Sequence, residues 1–343
     1  MWLSKTNMAR FALRATKYIT IRRARNLLLL VLSFYISRIT KKPHIQGRPW
    51  AMSVEPSGLC NLQCPECPVG AGVLTRKGGM LEPGLLSKML DEAGPELMTL
   101  NLYFQGEPML NRKINKLITA ASERNIFSSM STNGHFLSPE NCDKLIEAGL
   151  SELIISLDGI SRQSYSRYRK GGNLDKVLQG IESMVKRRKE LNKHKPLITV
   201  QFIVFEHNEQ EIPELIKLCR RLGVDRLQLK SAQIYDFGNN EVKPPKNPRY
   251  SRYIEKDGQP VLKGKSYNHC FKQWGSAVMS WDGRIAPCCY DKDLDFSPGN
   301  VSETSLGEIW KNQSLMQFRG KILRDKAAIA MCRNCPQGRK FLI

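Results

Sequence analysis

Residues 60–68 read CNLQCPECP and place three cysteines, Cys60, Cys64 and Cys67, within eight positions. Thiols so close on one loop can converge on a single centre, and there are three of them rather than four. A zinc site is usually closed by four ligands, commonly two CxxC-like pairs, so this loop alone would leave it incomplete. An iron–sulfur cube takes thiolates on its corners, and three ligands leave one iron open to a substrate or cofactor.

Working outward, β-rich runs recur at Ala51 to Glu55, Met98 to Phe104, Ile126 to Thr132, Leu153 to Leu157, Ile198 to Val204 and Arg226 to Ser231. Helical stretches lie between them, at Asn111 to Arg124, Pro139 to Ala148, Leu174 to Glu190 and Ile212 to Leu222. Such alternation predicts parallel βαβ units. Their ligand site lies at the carboxyl ends of the strands. The cysteine loop follows the first run, and Gly106-Glu107-Pro108, Asn133-Gly134 and Asp158-Gly159 follow the next three. Four chemically loaded loops are therefore expected on one rim.

Composition supports a globular chain: 343 residues, 41% hydrophobic, with a net charge of +21. Ten cysteines without a cleavable signal pattern predict reduced thiols in a cytoplasmic setting, and clusters of them predict metal ligation. Eleven Lys or Arg and no acidic residue occur between Met1 and Val54. Within this arm, Leu27 to Ile36 (LLLLVLSFYI) is too short to span a bilayer, which takes about 20 apolar residues. As a helix it lines up Leu28, Leu32, Tyr35 and Ile39 on one side and Asn26, Ser33 and Ser37 on the other. That pattern predicts a helix lying on a membrane surface, peripheral on the inner face. The alternative is a helix that packs its apolar side on the main domain. No recognition motif points to nucleic acid.

On these residues the chain resembles the radical S-adenosylmethionine superfamily, whose hallmark is CxxxCxxC after the first strand of a partial (β/α)6 TIM-like barrel. The resemblance implies a 4Fe-4S cluster on Cys60, Cys64 and Cys67, with the open iron chelated by S-adenosylmethionine. It implies that Gly106, Glu107 and Pro108 lie at the methionyl amino group, Asn133, Ser156 and Asp158 near the ribose, Arg169 at the cofactor carboxylate and Val204 beside the adenine. Glu66 departs from the family, many members of which have an aromatic residue before the third cysteine.

The C-terminal part carries Cys270, Cys288, Cys332 and Cys335. Taken alone, four thiolates could close a structural zinc site. "VMSWDGRIAPCC" reads as a hairpin turning at Asp282-Gly283, and Thr304 to Ile322 as one amphipathic helix. Cys270, Gly283 five residues before Cys288, and a late CxxC resemble the shortened SPASM, or twitch, domain with one auxiliary 4Fe-4S cluster. Cys289 could be a hydrogen donor or a small buried hydrophobe, and Cys142 and Cys219 read as core residues. Glu55, Tyr103, Tyr290 and Asp291 are unranked candidates for a base.

The expected organisation is a basic arm (1–47), a radical core (48–235), a linker (236–265) and an α+β auxiliary-cluster domain (266–343). The resemblance implies an oxidoreductase with two 4Fe-4S clusters that generates a 5'-deoxyadenosyl radical and oxidises a C–H bond of a sugar, cyclitol or lipid-linked substrate. Flavodoxin or ferredoxin would be the electron donor. The alternatives are maturation of a ribosomally made peptide and a non-catalytic iron–sulfur or zinc sensor.

Overall fold

The computed structural model describes residues 2–3, 16–235, 237, 241–256 and 259–337. Parts of the basic arm (1 and 4–15), parts of the expected linker (236, 238–240 and 257–258), and the last six residues of the C-terminal domain lie outside them.

The six expected strands form as β1 (Ala51–Val54), β2 (Thr99–Leu102), β3 (Phe127–Thr132), β4 (Glu152–Ser156), β5 (Leu197–Val204) and β6 (Arg226–Ser231). They pair in sequence order, all parallel. Parallel strands need crossovers, and helices supply them. After α1 (Ile21–Thr40), these are α2 (Pro83–Ala93), α3 (Ile114–Glu123), α4 (Pro139–Glu147), α5 (Arg162–Tyr168), α6 (Leu174–Glu190) and α7 (Ile212–Leu222). Residues such as Met52, Leu100, Met130, Ile155, Val200 and Leu227 bury themselves against the apolar sides of these helices, and Cys142 and Cys219 join the same core. Burying apolar surface on this scale is the main force holding the layers together.

The small C-terminal part is not a separate sheet. Its hairpin, β9 (Ser276–Met279) and β10 (Arg284–Ala286), continues the barrel sheet because β9 pairs parallel with β1, Ser276 opposite Ala51 through Met279 opposite Val54. Preceding it are the excursion hairpin β7 (Tyr253–Lys256) and β8 (Gln259–Leu262), which pairs only with itself, and the single turn α8 (Lys272–Gly275). The turn at Asp282-Gly283 is as expected, with Gly283 at φ +88°. β11 (Gly299–Asn300) pairs with β10 at the edge. The single helix expected over Thr304 to Ile322 is instead two, α9 (Leu306–Lys311) and α10 (Gln313–Asp325). Asn312 breaks them: its backbone is extended (ψ 163°) and its side chain caps α10 by accepting from Leu315 N at 3.0 Å. Buried Arg319 ties this unit together, donating to Gln273 O and Trp310 O, both at 2.8 Å.

α1 packs against the body by a mixed face, on which Leu30 and Phe34 are buried, Phe34 against Trp274 and Leu323, between polar residues that are hydrogen-bonded. Asn26 exchanges two 2.9 Å hydrogen bonds with the Arg48 backbone, and Ser33 Oγ accepts from Gln46 N at 2.8 Å. Ser37 Oγ accepts from His44 N and Trp274 Nε1. The opposite side is left outward, with Leu28 58%, Leu32 50%, Tyr35 53% and Ile39 80% exposed. The expectation that this apolar stripe could pack on the main domain is thereby corrected: the docking surface supplies backbone polar groups that Asn26, Ser33 and Ser37 satisfy. Among the described residues no helix is long and apolar enough to cross a membrane.

Candidate active site

A cavity of about 550 Å³ opens at the carboxyl ends of the strands. Cys60, Cys64 and Cys67 line it together with Gly106, Glu107, Asn133, Ser156 and Arg169, so one rim gathers most of the residues singled out by sequence. The cysteine loop is fixed by its neighbours. Gln63 N donates to Lys170 O at 3.0 Å, Glu107 N to Leu59 O at 2.7 Å, and Cys67 N to Cys64 O at 3.1 Å. Gly106 sits at φ +69°, and a Cβ there would lie 2.6 Å from Leu59 O, so only glycine lets the second-strand loop approach the cysteines this closely.

The carboxylates are committed to partners. Glu107 is buried and accepts from Thr132 Oγ1 at 2.7 Å, Asn133 N at 2.8 Å and Met109 N at 3.1 Å. Burial pushes its pKa up, and the three donors only moderate this. Asp158, fully buried, accepts from Arg169 Nε and Ile203 N, both at 2.6 Å. This aims the Arg169 guanidinium at the cysteines, with Nη1 3.8 Å from Cys64 Sγ. Asn133 Nδ2 donates to Asn61 Oδ1 at 2.8 Å, and its Oδ1 accepts from His135 N at 3.1 Å. Asn173 N donates to His135 Nε2 at 2.8 Å, which places the ring proton on Nδ1, 3.0 Å from Asn133 Oδ1.

Three expected positions do not reach the cavity wall. Val204 faces the helical layer because side chains alternate along β5, and Ile203 and Phe205 line the cavity instead. Pro108 is buried at the start of a short 3-10 turn. Asp158 lies behind Arg169 and acts on the cavity through it.

Of the candidate bases, Glu55 is tied to Arg76 at 2.6 and 2.8 Å and lies off the cavity. Asp291 is also off the wall; burial raises it to about 6 while Asp295 N and Phe296 N donate to it. Tyr103 and Tyr290 are on the wall, with Tyr103 pushed up to about 12 by burial. Sequence reasoning missed Gln201, Lys230, Arg252 and Lys292, which also line it. Lys230 and Gln201 could have been found from position alone, since they sit at or near the carboxyl ends of β6 and β5. Arg252 and Lys292 arrive from the excursion and the C-terminal part and leave no local signal.

The donor set fits iron–sulfur clusters. Thiolates are the cluster's ligands, and N–H groups on their sulfurs are a usual accompaniment. Leu62 N points at Cys60 Sγ at 3.4 Å, and Gln337 N at Cys335 Sγ at 3.4 Å. Burial pushes Cys64 up to about 11, so ligation there must displace a tightly held proton. In the second set, Cys270, Cys332 and Cys335 are buried, and Cys270 and Cys332 share an apolar cluster with Phe318, Ile322 and Ile329. A hydrogen bond to Cys289 and burial push the Cys288 thiol up, with Cys270 adding to it, and burial pushes Cys332 up to about 12 with a further push from Cys335. Among the described residues, no three His, Cys, Asp or Glu side chains surround the position of a single ion. Cys289 lies off the main cavity, packed near Val278, Ala286 and Leu294.

Comparison with known proteins agrees with this geometry. Residues 54–219 match the Radical SAM superfamily and residues 270–336 the SPASM iron–sulfur cluster-binding domain. A tungsten-containing aldehyde ferredoxin oxidoreductase cofactor-modifying protein from Pyrococcus furiosus is 28% identical over 300 residues, covering 78% of this chain and 82% of its own. The PqqA peptide cyclase of Gluconobacter oxydans is 26% identical over 308 residues, covering 84% and 82%. Among solved structures, Streptococcus suis SuiB bound to S-adenosylmethionine superposes with a TM-score of 0.64 at 16% identity, covering 83% of this chain and 70% of that one. BtrN in complex with AdoMet and 2-DOIA gives 0.53 at 16% identity, covering 85% and 95%.

Proposed function

The chain belongs to the radical S-adenosylmethionine superfamily and carries a C-terminal SPASM domain, and from that premise we propose that it is an oxidoreductase acting on a C–H bond of a small or lipid-linked substrate, sugar or cyclitol in type, with one auxiliary 4Fe-4S cluster on Cys270, Cys288, Cys332 and Cys335. The observation that carries this reading is the shared cavity, whose wall runs from Cys60, Cys64 and Cys67 to Tyr290, Lys292 and Pro336 of the C-terminal part. When bound, the first cluster and S-adenosylmethionine, held by Cys60, Cys64, Cys67 and Arg169, would supply hydrogen-atom abstraction through a 5'-deoxyadenosyl radical, and a second cluster on Cys270, Cys288, Cys332 and Cys335 would supply a one-electron acceptor. Membership in the family sets aside the non-catalytic sensor.

The chain's own residues bind and orient. Arg169, held by Asp158, presents a planar cation beside the cysteines for the cofactor carboxylate. Glu107 spends three of its roughly four acceptor positions on Met109, Thr132 and Asn133, so it chiefly clamps the second- and third-strand loops and leaves one position for an ammonium. Asn133, fixed by Asn61 and His135, stands beside Cys60 at 4.0 Å. Ile203 and Phe205 supply the apolar wall for the adenine. The basic surface suits an acidic reductant of the flavodoxin or ferredoxin class. The outward apolar stripe of α1, flanked by Arg25, Arg38, Lys41 and Lys42, suits attachment to an anionic membrane surface on the cytoplasmic side.

A second reading, modification of a ribosomally made peptide, is favoured by the likeness to PqqA peptide cyclase and to the SuiB fold. The decisive experiment is 5'-deoxyadenosine formation by anaerobically reconstituted, dithionite-reduced protein given S-adenosylmethionine, beside a Cys60, Cys64, Cys67 triple-Ala control. Formation by the wild type alone is expected. Equal formation in both, or none from iron-loaded wild type with candidate substrates of both classes, would sink the radical reading.

A further inference from the structure

The cations on the cavity wall fall into two kinds. Arg169 is neutralised by Asp158 at 2.5 Å. Lys230, Arg252 and Lys292 have no carboxylate within ion-pair distance among the described residues. Arg252 is positioned by neutral acceptors, Ser231 O at 2.6 Å and Gln233 Oε1 at 3.3 Å, and its buried Nε has no partner. Lys292 lies over the Tyr235 ring at 5.7 Å and interacts electrostatically with Cys67 on one side and with Cys288 and Cys289 on the other. The wall carries two carboxylates, Glu66 and Glu107, and both are already engaged: Glu66 accepts from Tyr235 N at 2.6 Å, and Glu107 has its three donors. Three parts of the chain, the end of β6, the segment before β7 and the loop after Cys288, thus each bring a cation without a direct ion-pair partner to one cavity, Lys230 feeling Asp158 and Glu152 and Lys292 the cysteines only at longer range.

Longer-range attraction to Asp158, Glu152 and the cysteines only partly offsets three cations on one wall that have no direct ion pair, so an anionic ligand that accepts from them is the natural complement. A single carboxylate offers one charge, whereas a phosphoryl group carries close to two at neutral pH and accepts from several donors at once. We infer that Lys230, Arg252 and Lys292 form a subsite for a phosphoryl group of the substrate, so that the enzyme acts on a phosphate-bearing molecule. This deepens the small-molecule or lipid-linked reading above and rests on it.

The test is a ³¹P NMR titration of glycerol phosphate with reduced, reconstituted holoenzyme in the absence of S-adenosylmethionine, where the paramagnetic cluster broadens only phosphate held near it. Glycerate and glycerol, which keep the carbon skeleton but carry one charge or none, are run as competitors. The wild type should broaden the signal, glycerate should compete at least tenfold more weakly, and Lys292→Gln with Arg252→Gln should lose at least tenfold in affinity while Lys292→Arg retains most of it. Iron content and circular dichroism establish that the variants fold. Dihexanoyl phosphatidic acid distinguishes a lipid-borne phosphoryl group from a free one, and binding of either supports the subsite. Absence of broadening in the wild type, equal competition by glycerate, or an unchanged affinity in the double variant would overturn it. So would an equal loss of S-adenosylmethionine affinity in the variants, which would assign the cations to the cofactor. Because the titration needs no radical formation, its failure is separable from failure of 5'-deoxyadenosine production.

Discussion

The two cysteine sets are built in opposite ways. Cys60, Cys64 and Cys67 come from one short loop whose shape is held by backbone hydrogen bonds to the barrel, including Gly58 N to Gly79 O at 2.8 Å and Gln63 N to Lys170 O at 3.0 Å. Cys270, Cys288, Cys332 and Cys335 are drawn from three separated segments, and Cys270 and Cys332 are part of the apolar packing around Phe318, Ile322 and Ile329. In the first set Cys64 is also buried, packed with Leu62, Tyr168 and Phe205, and Cys60 and Cys67 lie against the same cluster; what sets this loop apart is that backbone hydrogen bonds hold it as well. The second set relies more heavily on its sulfurs as small hydrophobes, since three of its four cysteines are buried and its segments are far apart in sequence.

The largest expected effect breaks this contrast directly. The Cys60, Cys64, Cys67 triple-Ala variant should lose 5'-deoxyadenosine formation to background while its metal-free form is destabilised by no more than about 2 kcal/mol, since only Cys64 of the three is buried and the loop's backbone contacts remain. A Cys270→Ala, Cys332→Ala variant should retain the first cluster's iron yet lose about 2–4 kcal/mol in the metal-free form from buried volume alone. Urea unfolding and iron per chain measure both. Equal destabilisation by the two variants would abolish the distinction.

A smaller effect sharpens it by asking what positions the first set. Removing the charge with Asp158→Asn leaves the Arg169 guanidinium without its counter-ion in a site only 13% exposed, at a cost of about 3 kcal/mol. The exposed pair Arg162–Asp175, tested with Asp175→Asn, should cost no more than about 0.5 kcal/mol. Asp158→Asn should also weaken S-adenosylmethionine binding at least tenfold, measured by equilibrium dialysis of reconstituted protein. If the cofactor binds as before, Arg169 does not need Asp158 to hold its place.

The same contrast explains what could be read from sequence. The six parallel strands were legible because apolar β runs and helices alternate, and α6, α7 and β6 match their expected limits of Leu174–Glu190, Ile212–Leu222 and Arg226–Ser231. The cysteine loop was legible because its spacing is local. The pairing of β9 with β1 was not, because Ser276 and Ala51 lie far apart in sequence and are brought together only by the tertiary fold. The break in the Thr304 to Ile322 helix did leave a trace. Ser305 and Glu308 form a capping box, and Asn312 is a strong cap residue set within an otherwise continuous amphipathic pattern. Val204 was misplaced by one residue, which on a strand exchanges cavity for core. Arg252 and Lys292 were illegible because a cation in a basic chain carries no mark of what it faces.

The smallest effect on the fold concerns α1, whose two faces repeat the contrast within one helix. Its inward face is specified by hydrogen bonds at Asn26, Ser33 and Ser37 together with buried Leu30 and Phe34, while Leu28, Leu32 and Ile39 are half or more exposed. Replacing those three by Glu removes no core packing, so unfolding free energy should change by no more than about 0.5 kcal/mol per site. Burial of the stripe in a membrane interface contributes roughly 25 cal/mol per Å² of apolar surface, and each nearby cation contributes about 1 kcal/mol on an anionic surface. Sedimentation with vesicles containing phosphatidylglycerol should therefore fall more than tenfold in the triple-Glu variant and about fivefold for each of Lys41→Gln and Lys42→Gln, with all losses larger at low salt. A triple-Glu protein that still sediments with vesicles would show that the outward stripe is not the membrane-facing surface. Loss of folding instead would mean that this face contributes to the core, against its exposure.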